Sequence, residues 1–417
     1  MKTPLRSSSA FLRYLFIFVV AVGFNSCQDQ VESTYTYQAK IPVSIKTEVF
    51  RDMYVGPVGP RDINRKGKIY IFNDFLFIGE PNKGIHVIDN TNPANPTNIS
   101  FIEIPGAADL AINDNILYAD SYIDLLSFDI SDPRDISLVN REEDVFTNFY
   151  IDQEAETFTY YKDTVITSKD PIRRWGGGGI WLDAMSFSNA EAGGGQGNYG
   201  QGGSMARFTL ANEHLYTVDD SELRLFDISD KADPEFVKQI PLGWGIETIF
   251  PFKDKLFIGS TTGMHIYDIS VPAAPQQLSV YSHITSCDPV VANDDYAFVT
   301  LRSGNFCQQG VNLLEVLDIT DPSLPKLLKS YPMDNPHGLG LAGDYLYVCE
   351  GEYGLKSFNV SDVLKIDENQ LEHLKGLNAF DLIPGPKSLI VIGNSVITQY
   401  DYSTPSKLKQ LSTITIK

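Results

Sequence analysis

The chain has 417 residues, with 53 Asp and Glu against 33 Lys and Arg and a formal charge of -20. So acidic a surface excludes nucleic acid as a partner, because phosphates need Lys and Arg, and it disfavours docking on anionic lipid heads. Aromatic residues make up 12%, and 32 Gly and 23 Pro accompany them, a balance that belongs to short strands and tight turns rather than long helices.

At the start of the chain Lys2, Arg6 and Arg13 flank and precede an apolar core at residues 15–22, followed by Gly23-Phe24-Asn25-Ser26-Cys27. A basic start, a short apolar run and a small residue before Cys resemble a bacterial lipoprotein signal peptide over residues 1–26, which makes Cys27 the acylated first residue of the mature protein. Asn25 departs from that pattern, being larger and more polar than the usual residue there. A cleaved signal with an incidental cysteine and an N-terminal anchor are the alternatives. The apolar run is too short to span a bilayer, which takes about 20 residues. Loss of the three basic residues moves the charge from -20 to -23. Gln28-Asp29-Gln30-Val31-Glu32 then resembles the acidic export signal of some surface-exposed lipoproteins. A polar tether is expected over residues 27–40, and alternation in residues 41–50 (IPVSIKTEVF) predicts a first strand.

From residue 84 one phrase recurs: an apolar run, an Asp, a polar turn and a second apolar run. Its copies are VIDNTNP, SFDISDP, LFDISDK, IYDISVP, VLDITDP, SFNVSDV and QYDYSTP, and the marker residues are Asp89, Asp129, Asp227, Asp268, Asp318, Asn359 and Asp401. Successive markers lie 40, 98, 41, 50, 41 and 42 residues apart, a period that defines a repeat architecture. In the second unit four short strands are predicted, at residues 109–112, 116–120, 125–130 and 136–140. The marker Asp, followed by Ser, Thr or Asn and often Pro, suits an Asx turn into the fourth strand rather than a catalytic role.

Four antiparallel strands about every 40 residues is the sequence form of a β-propeller blade. The predicted fold is therefore all-β, a seven-bladed β-propeller of four-stranded antiparallel blades over residues 41–417; an open β-solenoid is the alternative, although its coils are usually shorter. LYADSYIDLLSFDISDPRDISLV, LFIGSTTGMHIYDISVPAAPQQLSVY and LYVCEGEYGLKSFNVSDV resemble the LVIVD-repeat family of bacterial secreted or surface β-propellers. The resemblance runs over residues 65–415 apart from one insertion. It implies architecture and is nearly silent on function.

The insertion, residues 141–206, holds a predicted strand at residues 157–167, Trp175, Trp181 and glycine-rich runs. No repeat phrase occurs in it, so no eighth blade is expected. A glycine-rich excursion or a flap over one face, with Trp175 and Trp181 as contacts, are the two readings. Either residues 41–50 or residues 408–416 could complete the last blade, and the second stretch looks able to do so.

Chemical motifs are scarce. There is no GxSxG elbow, HExxH, phosphate-binding GxxxxGK[ST] or CxxC, and the six histidines lack ligand spacing, so no catalytic residue, metal or cofactor is expected. In the fifth unit Cys287 and Cys307 are expected at one rim as a disulfide closing a loop of about 20 residues, worth roughly 3 kcal/mol; free thiols are the alternative. Cys349 looks like a small buried hydrophobe. Residues leading into the first strands, Asp109, Arg207, Glu247, Asp288 and His337, with Arg302 and Trp244, are candidates to gather at one mouth of a central channel and hold a ligand. The alternative is charged loops facing water and one another. The expected role is a lipid-anchored outer-membrane module, at the cell surface or facing the periplasm, that binds an envelope protein or glycan; a hydrolase or lyase at the channel mouth and a structural envelope component are the other readings. Contact with the membrane is expected through the N-terminal lipid alone.

Overall fold

Where four short apolar strands alternate with Asn, Asp, Gly and Pro turns, the chain folds as an antiparallel sheet whose strands pair in chain order, and this happens seven times. The computed structural model of the protein describes residues 35–146, 149–168, 201–202, 204, 206–282, 289–302 and 311–417. Among these residues one helix, Thr47–Arg51, interrupts the strands. The chain divides into two compact units, Met1–Pro42 with Tyr161–Asp183, and Val43–Tyr160 with Ala184–Lys417; the second holds all seven repeat sheets.

The predicted strands of the second repeat stand within one or two residues of the observed ones, Leu110–Asn113, Ile116–Ser121, Asp124–Asp129 and Ser137–Glu142. First strands such as Ile69–Phe72, Leu110–Asn113 and Phe208–Ala211 are buried along their whole length, which is why they read as short apolar runs without alternation. Fourth strands such as Glu235–Pro241 are mostly exposed. First strands of consecutive sheets touch, from Ile69–Phe72 through to Asp381–Pro384, so they gather together while the fourth strands lie outermost.

Apolar side chains join neighbouring sheets into a cycle. Phe77, Tyr118 and Phe226 share one core across sheets one to three, and Tyr216, Ile249 and Leu256 join three to four. Phe257, Phe298 and Leu346 span four to six, Leu355, Leu382 and Leu389 join six to seven, and Ile78, Ile390 and Ile397 join seven to one. The last junction is also polar. Asn90 and Gln399 exchange two amide hydrogen bonds, Nδ2 to Oε1 at 3.0 Å and Nε2 to Oδ1 at 2.7 Å, and Ser388 donates to the same Oε1 at 2.7 Å. Lys409–Thr415 supplies the outer strand of sheet seven, as the C-terminal stretch promised. Residues 41–50 do otherwise: strand Tyr35–Lys46 starts inside the expected tether and hands over to the helix, because Thr47–Arg51 turns Phe50 into an aromatic core with Tyr122 and Phe158.

All seven markers make the predicted turn. Asp89, Asp129, Asp227, Asp268, Asp318, Asn359 and Asp401 each accept the backbone N–H two residues on, at 2.8–3.1 Å. The turn also presents the carbonyl four residues past the marker to the preceding sheet. Tyr118 donates its hydroxyl to Lys231 O, Tyr216 to Pro272 O, Ser279 to Pro322 O, Tyr331 to Val363 O, Ser357 to Pro405 O and Ser412 to Pro93 O, at 2.5–3.0 Å. At the junction of sheets one and two Ser100 donates instead to Val58 O of the added edge strand Gly56–Val58, and Arg134 bonds Asp89 at 2.7 Å.

Two features depart from a plain set of seven repeats. There is an eighth sheet, of three strands, Tyr35–Lys46, Thr157–Ser168 and Tyr150–Asp152, without the repeat phrase. The predicted strand at 157–167 is its centre. The insertion also returns as Gln201–Gly202, paired antiparallel with Ile71 and Tyr70 on the free side of the first strand of sheet one. The middle of the repeat sheets is thus occupied by the protein's own backbone.

Candidate functional site

Antiparallel order fixes what shares an end of each sheet. The starts of the first strands and the hairpins between second and third strands lie at one end, and the marker turns lie at the other. The described candidate rim residues therefore belong to the first of these ends.

At its centre the returning segment is tied to four sheets. Gln201 and Gly202 pair with sheet one. Ser204 donates to Asp381 Oδ1 of sheet seven at 3.2 Å and accepts Leu339 N of sheet six at 3.0 Å, and Ala206 O accepts Ile249 N of sheet four at 2.9 Å. Sheets six and seven meet so closely here that a Cβ on Gly338 would stand 2.0 Å from Asp381 Oδ1, which is why glycine occupies that place. Asp109, 4% exposed, accepts Leu110 N at 2.8 Å and Arg207 N at 2.6 Å. Burial raises its pKa although Lys68 opposes the shift, and burial lowers the Lys68 ammonium to about 8 although Asp109 and Asp381 oppose that. The structure brings Asp109 to Arg207 through the Arg207 backbone; the guanidinium turns outward to Asp220 at 3.0 Å.

Around this centre the hairpins carry buried ion pairs. Glu80 accepts Lys83 Nζ at 2.5 Å and His86 Nε2 at 3.0 Å. Asp219 accepts Arg224 Nη1 at 2.5 Å, and Arg224, 1% exposed, also reaches Glu222 at 2.7 Å. Lys356 bridges Glu350 and Asp334, both at 2.8 Å. Asp124 accepts Arg51 twice, at 2.8 and 3.0 Å, and Arg141 at 2.8 Å. Burial works against ionised Asp219, yet the Arg224 guanidinium and the Ser221 and Glu222 N–H groups hold its carboxyl below the ordinary range. Burial likewise opposes Glu80, and Lys83 and His86 hold it low, while burial keeps the His86 imidazole neutral. Such saturated carboxylates are acceptors already engaged, so they join loops rather than move protons. Sequence reading missed this set. A signal was present: His86, Arg224 and Lys356 all stand three residues before a marker, each with an acidic residue five or six positions earlier.

Trp244 is 85% exposed. Gly243 and Gly245 beside it both have positive φ, +96° and +83°, and a Cβ on Gly245 would lie 2.2 Å from Thr261 Oγ1. The loop is pinned by Leu242 N to Ser221 O, Gly245 N to Asp220 O and Thr261 N to Gly245 O, at 2.8–2.9 Å. The indole is thus held out to water on a fixed backbone. Glu247 and Arg302 are half-buried at the same end. His337 is 7% exposed, its ring edge-on to Phe380 at 4.9 Å. Burial first, then the charges of Arg302 and Lys66, bring its pKa to about 3, so the imidazole is neutral. Cys349 is buried, as expected of a small hydrophobe, and burial pushes its thiol well up. Cys27, Trp175, Trp181, Cys287, Asp288 and Cys307 lie outside the described residues. Among the described residues no three His, Cys, Asp or Glu side chains cluster as metal ligands.

The LVIVD repeat model matches residues 67–101 and 287–332, which are the first three strands of sheet one with the start of its fourth, and the whole of sheet five. No curated protein matches the sequence. Among solved structures, BamB from Moraxella catarrhalis is 10% identical with a TM-score of 0.49, over 88% of this chain and 98% of that one. Hsv2p from Kluyveromyces lactis is 13% identical with a TM-score of 0.49, over 85% and 99%. A functionally unknown protein from Desulfotomaculum acetoxidans is 11% identical with a TM-score of 0.47, over 84% and 95%. The chain carries LVIVD repeats, set on antiparallel four-stranded sheets.

Proposed function

We propose that the seven repeat sheets are the blades of one β-propeller, held at the outer membrane by a lipid on Cys27, and that it binds an envelope protein or glycan without catalysis. Repeats on a rigid β frame suit a binding or scaffold role. The binding surface is the end where the first strands start, and the observation that carries this reading is Trp244, rigidly presented and 85% exposed. Own backbone fills the middle, beside Ile71 and Tyr70, so recognition falls to the surrounding loops rather than to an axial channel.

Two measurements test the proposal. Metabolic labelling with an alkyne fatty acid should tag the wild-type chain and not Cys27→Ala; equal labelling removes the anchor. Screening the full chain against envelope proteins and a glycan array should yield a binder that Trp244→Ala weakens at least about tenfold, the scale of an interface anchor. Absence of a binder in both screens, or equal binding by the variant, refutes the binding role.

A further inference from the structure

What surrounds Trp244 narrows the kind of ligand it can anchor. The main-chain bonds that fix its loop run to Asp220 O and Ser221 O and arrive from Thr261 N, so its neighbours in space are the hairpins at residues 219–222 and 260–263. On these hairpins and on the connection at residues 241–246, Trp244 is the one exposed large hydrophobic. A Cβ on Gly243, its neighbour in the chain, would point into open space with nothing within 4 Å. The indole is therefore a flat ring with no apolar patch around it and no wall on the Gly243 side.

The neighbouring hairpin adds an exposed acceptor and an exposed donor. Asp220, whose backbone carbonyl takes the N–H groups of Gly245 and Ile246 at 2.9 and 3.1 Å, binds Arg207 Nη2 through Oδ1 at 3.0 Å. Their side chains are 68% and 38% exposed. An exposed indole serves two classes of ligand, and the two need different surroundings. A protein partner anchors on an aromatic set within a contact patch whose rim excludes water, and that patch is missing from these loops. A pyranose ring with equatorial hydroxyls lays a flat C–H face on the electron-rich indole and presents its hydroxyls at the ring edge, where a carboxylate accepts and a guanidinium donates. Charge narrows the class further: with Asp220 the more exposed member of its pair, in a chain of formal charge -20, uronic acids and sugar phosphates are repelled.

We infer that Trp244, Asp220 and Arg207 form a platform for a neutral glycan, its sugar ring laid on the indole and its hydroxyls shared between the carboxylate and the guanidinium. The open side at Gly243 lets the glycan chain run on, so internal residues of a polysaccharide fit as well as chain ends. The inference rests on reading Trp244 as the ligand anchor, and it selects the glycan over the envelope protein.

The test is a titration of the full chain at constant ionic strength with cellohexaose, maltohexaose, N-acetylchitohexaose and an acidic oligogalacturonate in separate arms, observed by the indole 15N–H signals. Trp244→Phe assigns the Trp244 signal among the three tryptophans. Saturable movement of that signal alone is expected in at least one neutral arm and none in the oligogalacturonate arm. Asp220→Ala removes the carboxylate and keeps the carbonyl that holds Gly245; it should weaken binding on the order of tenfold, as loss of a charge-assisted bond does, while the thermal midpoint holds because the ion pair is exposed. No saturable movement in any neutral arm, tighter binding of the oligogalacturonate, or no change in Asp220→Ala overturns the platform. An envelope protein whose binding is lost in Trp244→Ala, with every sugar arm silent, sinks the glycan class and leaves the docking role of Trp244 standing. The titration uses no macromolecular partner, so its outcome is readable whatever the envelope-protein screen returns.

Discussion

The two ends of the repeat sheets solve the same problem differently. At the marker end seven turns use one device, a side-chain oxygen accepting the N–H two residues on, and six of the seven junctions add a hydroxyl bonded to the carbonyl four residues past the marker. At the other end four of the sheets hold a buried carboxylate, each with different partners: Glu80 with His86, Asp124 with two arginines, Asp219 with Arg224, Glu350 with Lys356. The difference teaches where strength is concentrated. Repetition spreads a small contribution over many exposed turns, whereas a buried pair places a large one on a single side chain.

The largest expected effect tests the singular end. Asp124→Ala strands Arg51 and Arg141 beside a lost, fully buried partner and should cost about 3–5 kcal/mol in denaturant unfolding; a loss below about 1 kcal/mol would break the contrast. Next is the junction of sheets seven and one. Gln399→Leu removes the amide that satisfies Asn90 and Ser388, and a loss of about 1–3 kcal/mol is expected. Tyr216→Phe deletes one hydroxyl-to-carbonyl bond between sheets three and four and should cost about 1 kcal/mol.

The smallest effects belong to the markers. Asp129→Ala should cost about 0.5–1 kcal/mol, one side-chain hydrogen bond in a partly exposed turn. Asp129→Asn should be nearly neutral at pH 7, because Asn359 makes the same turn in sheet six. The pair also sharpens the pH dependence. Hydrogen bonds from Ser131, backbone first, hold the Asp129 carboxyl below its ordinary 3.8. A carboxylate depressed on folding stabilises the protein above the unfolded value, and that contribution drains as pH falls through the lower folded value. Unfolding curves between pH 5 and about 2 should therefore show a shallower acid loss for Asp129→Asn than for the parent, and identical slopes would deny the markers an ionic role.

Legibility in the sequence follows the same division. The marker turn could be read because donor and acceptor are two residues apart and the pattern recurs seven times. Strand limits in the second repeat could be read for the same reason. The Arg51–Asp124 pair could not, since its partners are 73 residues apart and Arg51 sits in a stretch outside the repeats. Nor could the strand Gln201–Gly202, which offers two residues and no apolar alternation, although it occupies the middle. Among candidate site residues, His337 is singled out by its position before a first strand, and Trp244 only as an addition to that group. Their opposite exposures were set by packing that only the folded chain reveals.

The returning segment carries a last consequence, for the order in which the molecule can be put together. Residues 201–206 follow sheet two and precede sheet three in the chain, yet they bond to sheets one, four, six and seven. Chain order therefore allows these residues to be in place before sheets four, six and seven are made, so bonding to them requires no chain end to pass between formed sheets.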